Sequence, residues 1–305
     1  MQSFPEIRSE AEADAFLASP ANKAAALGRL VDHLGWRDEA RVPARGSAVV
    51  GVGHDEVLKL MVPIDAELSA SEAACLAALD GALPVPTPKL LDRGELDGWP
   101  WIRMSRLPGE ELVEVWPDLD APSRIRLAEQ LGRCLRALHE LPAPDELPRV
   151  DWTCWVEARL GRLEAQQRSR GCPEELLHGL DEFVAGSDIG AGRETWLHTE
   201  VMLEHLLVRR TDEGWELSGL IDFEPSWVGP QDYEFASVGL FVSRGDASVL
   251  GAVLRAVGIR PSARRLFSMA MLHRYANLGW YHERLGGPSN VAEIAEAWFG
   301  TGSDE

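Results

Sequence analysis

Lysine is nearly missing from this chain: Lys23, Lys59 and Lys89 are the only three among 305 residues. With a formal net charge of −19, the composition excludes a broad basic face. That argues against nucleic acid or an anionic membrane as partner and favours a cationic small molecule. Solubility by itself also accounts for such charge. Cys75, Cys134, Cys154 and Cys172 form no C-x-x-C pair, and the first two fall among Ala and Leu on helical patterns. A disulfide frame or a cysteine-built zinc site is therefore not expected. No apolar run is long enough to span a bilayer, and the first residues lack the basic and apolar regions of a secretory signal. Cytoplasm is the expected location. Repeats and low-complexity linkers are absent as well.

At 45% hydrophobic residues, the chain can bury a full core and is long enough for two lobes sharing an active-site cleft. Ala-rich helical patterns cover 9–19 and 21–34, with Leu27, Leu30, Val31 and Leu34 on one face. From residue 41 the pattern changes to short β-type runs, 48–52 and 57–62, around a Gly53-His54-Asp55 turn. Lys59 lies inside the most apolar of these strands, where a charge needs a partner. Glu72, in the helical stretch 65–79, is the candidate. An edge-strand lysine that snorkels to solvent fits the same residues. Gly51-x-Gly53 is weak as a phosphate loop and fits simple hairpin geometry; Gly46-Ser47, just before the first strand, is the better candidate.

Residues 89–95 and 99–107 read as two further strands around an Asp97-Gly98 turn. The remainder is helical apart from one stretch, with helices expected at 123–141, 152–170, 173–185, 231–241, 247–257 and 262–285. The exception runs from Trp196 through Phe223. It reads W-L-H-T-E-V-M-L-E-H-L-L-V and then, after a Gly-Trp turn, L-S-G-L-I-D-F-E. A loop, a strand, a turn and a second strand here place His198, Glu200 and His205 near one end and deliver the carboxylate of Asp222. Phosphoryl transfer needs a loop residue to accept the proton of the attacking hydroxyl and a second acid to hold the metal bridging the phosphates. A metal-hydrolase reading of His198, Glu200 and His205 is weaker, since H-x-E-x-x-x-x-H lacks the i, i+4 pairing of H-E-x-x-H.

This stretch resembles the catalytic and metal-binding segments of the aminoglycoside phosphotransferase family, which read H-G-D-x-x-x-x-N and then I-D-F or I-D-W. Glu200 and His205 stand where the family has Asp and Asn. Glu keeps the carboxylate but carries it about 1.5 Å further out, and imidazole suits Zn or Mn better than Mg. G-P-Q-D-Y-E-F-A resembles the family's G-D-P-x-Y-D-L-A, with Glu234 at the second acid, a stretch that secures the active-site loop to the following helix. S-E-A-A-C-L, V-P-T-P-K-L-L-D-R-G-E-L, W-P-W-I-R-M-S-R and L-G-R-C-L-R-A-L-H extend the likeness, which is nearest to hygromycin kinases, as far as about Asp246.

The resemblance implies an α+β, two-lobed protein-kinase-like fold, with a β-rich lobe over 1–104 and a helical lobe over 105–305. It implies a small-molecule O-phosphotransferase using ATP or GTP with Mg²⁺ or Mn²⁺. Glu200 and His198 are then the catalytic pair, and Asp222 and His205 the metal ligands. Lys59, Glu72, Gly46 and Ser47 are expected at the nucleotide phosphates. Adenine is expected against Met104, Ser105 and Leu107, although an ordinary strand-to-helix loop fits M-S-R-L-P-G equally. The acceptor is expected to be a cationic, aminoglycoside-like molecule or another hydroxylated antibiotic or metabolite. Acids and aromatic faces for it are Glu224, Trp227, Trp280, Tyr281 and Glu283, though aromatics at helical spacing also build cores. The altered loop leaves one alternative, a relative that binds nucleotide or ligand without phosphoryl transfer.

Overall fold

The computed structural model describes residues 4–38, 48–190, 192–273 and 275–301. Gly46 and Ser47, expected at the phosphates, lie outside the described residues. Contacts gather the chain into two units, Met1–Pro108 with Gly219–Pro225, and Gly109–Ser218 with Ser226–Glu305.

In the first unit, Ser9 and Ser19 cap helices α1 (Glu10–Leu17) and α2 (Pro20–Leu34), each side chain accepting a backbone N–H three residues on. Pro20 opens α2, and Gly35, at φ 59°, ends it in the left-handed conformation. The apolar stripe of α2 is used as its spacing predicts: Ala26, Leu27 and Leu30 pack with Val49, Leu58, Leu60, Trp99 and Trp101. Leu30 and Leu58 are fully buried, each contributing about 1.5–3 kcal/mol through apolar burial. Strands β1 (Val49–Val52) and β2 (Glu56–Leu60), helix α3 (Ala66–Leu79), and strands β3 (Leu90–Leu96) and β4 (Trp99–Ser105) follow. The sheet is antiparallel in the order β1-β2-β4-β3. Asp97 and Gly98 both have positive φ, 53° and 81°. That is what a two-residue hairpin turn with the twist of its flanking strands requires.

The second unit opens with β5 (Glu110–Glu111), α4 (Leu112–Val115) and α5 (Ala121–Glu140). Helices α6 (Trp152–Leu160), α7 (Leu163–Ser169), α8 (Glu174–Leu177) and α9 (Leu180–Ala185) lead to β6 (Glu194–Leu197), β7 (Leu206–Thr211), β8 (Gly214–Leu220) and β9 (Trp227–Pro230). Helix α10 (Glu234–Ser237) runs into a π-helix, Val238–Ser243, and α11 (Ala247–Val257), α12 (Ala263–Leu272), α13 (Leu278–Leu285) and α14 (Val291–Phe299) complete the chain. Gly132 lets α5 approach α11 closely, since a Cβ there would lie 2.5 Å from the Val253 carbonyl oxygen. Among the described residues no helix is long and apolar enough to cross a membrane.

Three helices expected from periodicity are broken. The stretch 152–170 stops at Gly161, 262–285 opens between Leu272 and Leu278, and 173–185 divides between Leu177 and Leu180. Gln167, fully buried on α7, repairs the second break: its Oε1 accepts from Leu278 N at 2.7 Å and its Nε2 donates to the Ala276 carbonyl at 3.0 Å. An apolar period cannot reveal such a break, because both halves keep their buried faces. The expected helix at 231–241 is likewise a 3-10 turn, α10 and the π-helix.

Residues Gly219–Pro225, which fall in the range expected for the helical lobe, group by their contacts with the first unit. Leu220 donates its N–H to the Pro86 carbonyl at 3.0 Å, and the acids that follow meet Lys59.

Candidate active site

Lys59 sits on β2, opposite Val50 of β1 and Ile102 of β4. Its side chain is 8% exposed, and its Nζ lies 2.8 Å from Glu72 Oε2, 2.7 Å from Asp222 Oδ1 and 2.5 Å from Glu224 Oε2. The contact with Asp222 also has hydrogen-bond geometry. Burial works against the ammonium charge, but the Asp222, Glu72 and Glu224 carboxylates outweigh it and hold the Lys59 pKa well above its usual value. Burial pushes Glu72 up to about 7 against the pull of Lys59, and the two other acids push the same way. Asp222 has a left-handed backbone, φ 71°, a conformation that aspartate tolerates better than most residues.

Glu224, expected to meet the acceptor, is instead 8% exposed and belongs to the Lys59 cluster. Glu72, Asp222 and Glu224 offer oxygens that all lie within 4.8 Å of one another. Such hard donors at that spacing fit a divalent cation of the Mg²⁺ type.

Of the residues expected at the adenine, Met104 is buried on β4 and Leu107 follows the strand, half-buried. Ser105 and Arg106 spend their N–H groups on the Lys89 and Asp55 carbonyls, at 2.9 and 2.7 Å. The Ser105 N–H is therefore not available as an adenine contact.

In the second unit, the loop after β6 carries His198, Thr199 and Glu200. Glu234, at the start of α10, is fully buried and accepts from His198 N and Thr199 N, both at 2.8 Å. Ser237 Oγ accepts from Val201 N at 3.2 Å. His139, at the end of α5, brings its Nε2 to 3.4 Å from Glu234 Oε2. Burial alone would raise the Glu234 pKa, but the hydrogen bond and charge of His139, followed by His198, hold it below the ordinary carboxylate value. His139 ends the family-like segment L-G-R-C-L-R-A-L-H, but its pairing with Glu234 is not a feature that segment shows by itself.

His198 is itself completely buried. Expected as part of the catalytic pair, it acts on Glu234 through its charge and its backbone N–H. Thr199 has φ 72°, strained for a β-branched residue, at the position where the family carries Gly. Glu200 is half-buried. Its backbone carbonyl accepts from His205 Nδ1 at 2.7 Å. In that bond Nδ1 is the donor, because a carbonyl can only accept.

The anchoring by Glu234 leads to a pH-dependent expectation. A carboxylate whose folded pKa is depressed stabilises the fold above its unfolded value and loses that contribution as pH falls through the folded one. Glu234→Gln should cost about 2–4 kcal/mol in urea unfolding at pH 7, and the deficit should shrink as pH falls below the ordinary glutamate value of 4.5. A deficit that stays constant with pH would show that the Glu234 charge does not hold the loop.

The residues expected at the acceptor separate. Trp227 on β9 packs against Trp155 and Tyr233, with ring centroids at 5.4 and 5.1 Å, as part of an aromatic cluster. Tyr281 is buried, its hydroxyl donating to the Tyr275 carbonyl at 3.2 Å. Burial pushes its pKa up to about 12. Glu200 is close enough to contribute to that rise. Trp280 is 40% exposed. Trp280 and Tyr281 line a cleft of about 350 Å³ together with Met202, Leu203, Leu240 and Phe241. Glu283 is exposed on α13 and is not among the lining residues.

Residues 44–267 match the model of the phosphotransferase enzyme family. Over 203 residues, 53% of the chain, it is 25% identical to the lysine-specific demethylase JMJ21 of Arabidopsis thaliana, covering 22% of that protein. Over 104 residues, 33% of the chain, it is 34% identical to an aminoglycoside 3'-phosphotransferase of Streptomyces fradiae, covering 34% of it. The chain thus spans about a fifth to a third of the length of these curated relatives. Among solved structures, the GDP complex of wild-type aminoglycoside 2'-phosphotransferase-IIIa matches with TM-score 0.66 and 16% identity, over 82% of this chain and 89% of that one. The macrolide 2'-phosphotransferase MphH of Brachybacterium faecium matches with TM-score 0.62 and 21% identity, over 94% of this chain and all of its own. At such identities the structural likeness shows a shared fold, the α+β kinase-like one expected from the sequence. None of these matches bears on the expected nearness to hygromycin kinases.

Proposed function

The chain belongs to the phosphotransferase enzyme family, and on that premise we propose that it transfers the terminal phosphoryl group of ATP or GTP to a hydroxyl of a small molecule. The observation that carries this reading is the buried Lys59 held against Glu72 and Asp222. A lysine fixed in this way presents a point charge for phosphate oxygens while its stem stays in the core. The first unit thus supplies the phosphate-binding cation and, in Asp222 and Glu224, oxygen ligands for a divalent cation. When bound, that cation neutralises charge on the phosphates. By its place in the family pattern, His205 is a further candidate ligand.

In the transfer, the acceptor oxygen bonds to the γ-phosphorus and the bond from that phosphorus to the β–γ bridging oxygen breaks, so that ADP or GDP leaves. The hydroxyl proton passes to the Glu200 carboxylate. Glu234, by holding the backbone of His198 and Thr199, fixes the loop from which Glu200 acts. His198 is a positioning residue in this scheme. The relatives' names cover aminoglycoside and macrolide acceptors, which makes a hydroxylated natural product the class to test.

The test incubates the protein with ATP or GTP, Mg²⁺ or Mn²⁺, and a panel of aminoglycosides, macrolides and simpler glycosides, and weighs the products. A mass gain of one phosphate on at least one acceptor is expected, with Mn²⁺ supporting turnover at least as well as Mg²⁺ because an imidazole replaces an amide. Nucleotide binding in a thermal-shift assay without phosphorylation of any acceptor would instead favour a binding protein.

A further inference from the structure

The cleft beside the Glu200 loop departs in charge from what a polycationic acceptor needs. Its walls are apolar: Leu203 from the loop, Leu240 and Phe241 from the π-helix, Tyr281 and Leu285 from α13. Its charged lining residues are Glu204, Arg244 and Arg284, two cations against one acid. No described acid forms an ion pair with either arginine, whereas eight other arginines of the chain do. Arg284 is held with its guanidinium 3.5 Å over the ring of Trp280, one turn earlier on α13. Stacking of this kind orients the guanidinium and leaves its edge N–H groups for an acceptor group. Arg244 follows the π-helix with a left-handed backbone, φ 53°.

We propose that this cleft is the acceptor site and that it takes a hydroxylated molecule with an apolar body and an anionic group, such as a carboxylate, which Arg244 and Arg284 bind. The proposal rests on the phosphotransferase reading above and deepens it by naming the acceptor's chemistry. A volume of about 350 Å³ suits a small ligand. Charge-assisted bonds to two guanidinium groups are among the stronger polar contacts. A polycation would meet the same arginines as like charges, with Glu204 the one acid among the described lining residues and Glu200 the acid of the adjoining loop. The chain's net charge of −19 repels anions at long range, but that field is screened beyond about 8 Å at physiological salt, and the arginines act at contact.

A matched pair of probes isolates the anionic group: octyl β-D-glucopyranoside and the corresponding octyl glucuronide, which differ by a CH₂OH against a carboxylate. Titrated calorimetrically below their micelle concentrations, the glucuronide should bind about 10- to 100-fold more tightly. Arg244→Gln and Arg284→Gln should each reduce that ratio, with the neutral glucoside still bound. Kanamycin should not displace the glucuronide. Equal affinity for the two probes, an unchanged ratio in both variants, or displacement by kanamycin would overturn the inference.

The same mixtures supplied with ATP or GTP and Mg²⁺ separate this idea from its premise. Preference for the glucuronide without any phosphorylation supports the anion site and counts against phosphoryl transfer. Phosphorylation of kanamycin and of the glucoside as fast as the glucuronide, unaffected by either arginine variant, leaves transfer standing and removes the anion site.

Discussion

Replacing Glu200 by Gln is expected to lower turnover by about 100-fold or more while leaving nucleotide affinity within about twofold, because a positioned base contributes about 10²- to 10⁴-fold to rate and holds no phosphate. The structure narrows what such a result would mean. Glu200 stands on a loop whose backbone is tied to Glu234 at two successive N–H groups and to Ser237 at a third, so the substitution removes a charge from a backbone held elsewhere. Its own carbonyl is bonded by His205, a contact that Gln retains. Unchanged folding stability, measured by urea unfolding, should accompany the loss of activity. Glu200→Asp asks the finer question. In a loop refitted around the longer side chain, with Thr199 and His205 also departing from the family pattern, shortening the acid should reduce turnover as well. Retention of most of the wild-type rate in Glu200→Gln would remove Glu200 as the base.

The second large effect belongs to Lys59. Lys59→Met keeps the stem's packing and removes a cation that faces three carboxylates at 2.5 to 2.8 Å. Breaking a buried ion pair from one side costs about 3–5 kcal/mol, since the partner charge is stranded. Here three acids lose their cation, two of them nearly inaccessible and Asp222 partly open. Part of that cost is offset as Glu72, already pushed up to about 7 by burial, takes up a proton. We expect a loss of about 3 kcal/mol in urea unfolding at pH 7, together with loss of detectable nucleotide binding. Adding Glu224→Gln to Lys59→Met should recover part of the stability by removing one of the repelling charges, and millimolar Mg²⁺ or Ca²⁺ should protect the single variant more than the wild type. Wild-type stability in Lys59→Met, with no response to divalent cations, would show that the cluster does not hold its charges as the distances indicate.

Much of the small unit was legible in the sequence, because what specifies it is local. The stripe of Leu27 and Leu30, the Asp97-Gly98 turn and the helix carrying Glu72 each follow from spacing or turn chemistry within a few residues. A lysine inside an apolar strand asked for a carboxylate, and Glu72 was near enough in the chain to be named. The I-D-F run singled out Asp222 in the same way.

Other features turned on contacts between distant segments. That Glu224 joins Lys59 and is not left for the acceptor depends on Gly219–Pro225 packing with the first unit, across a separation of 163 residues between Lys59 and Asp222. The His139–Glu234 contact that supports the loop spans 95 residues, and neither partner announces the other. Gln167 could repair the gap before α13 only because α7 passes beside it. Even the sign of charge in the acceptor cleft is hidden in the sequence: the chain is strongly acidic, whereas Arg244 and Arg284 come to line one cleft only once the π-helix and α13 form its wall. Periodicity and turn residues report which face of an element is apolar and where the chain reverses, since those energies are set by near neighbours. Which buried charges meet, and which surface is left to bind a ligand, is set by desolvation and Coulomb terms between residues far apart in sequence, and those exist only after the elements have packed.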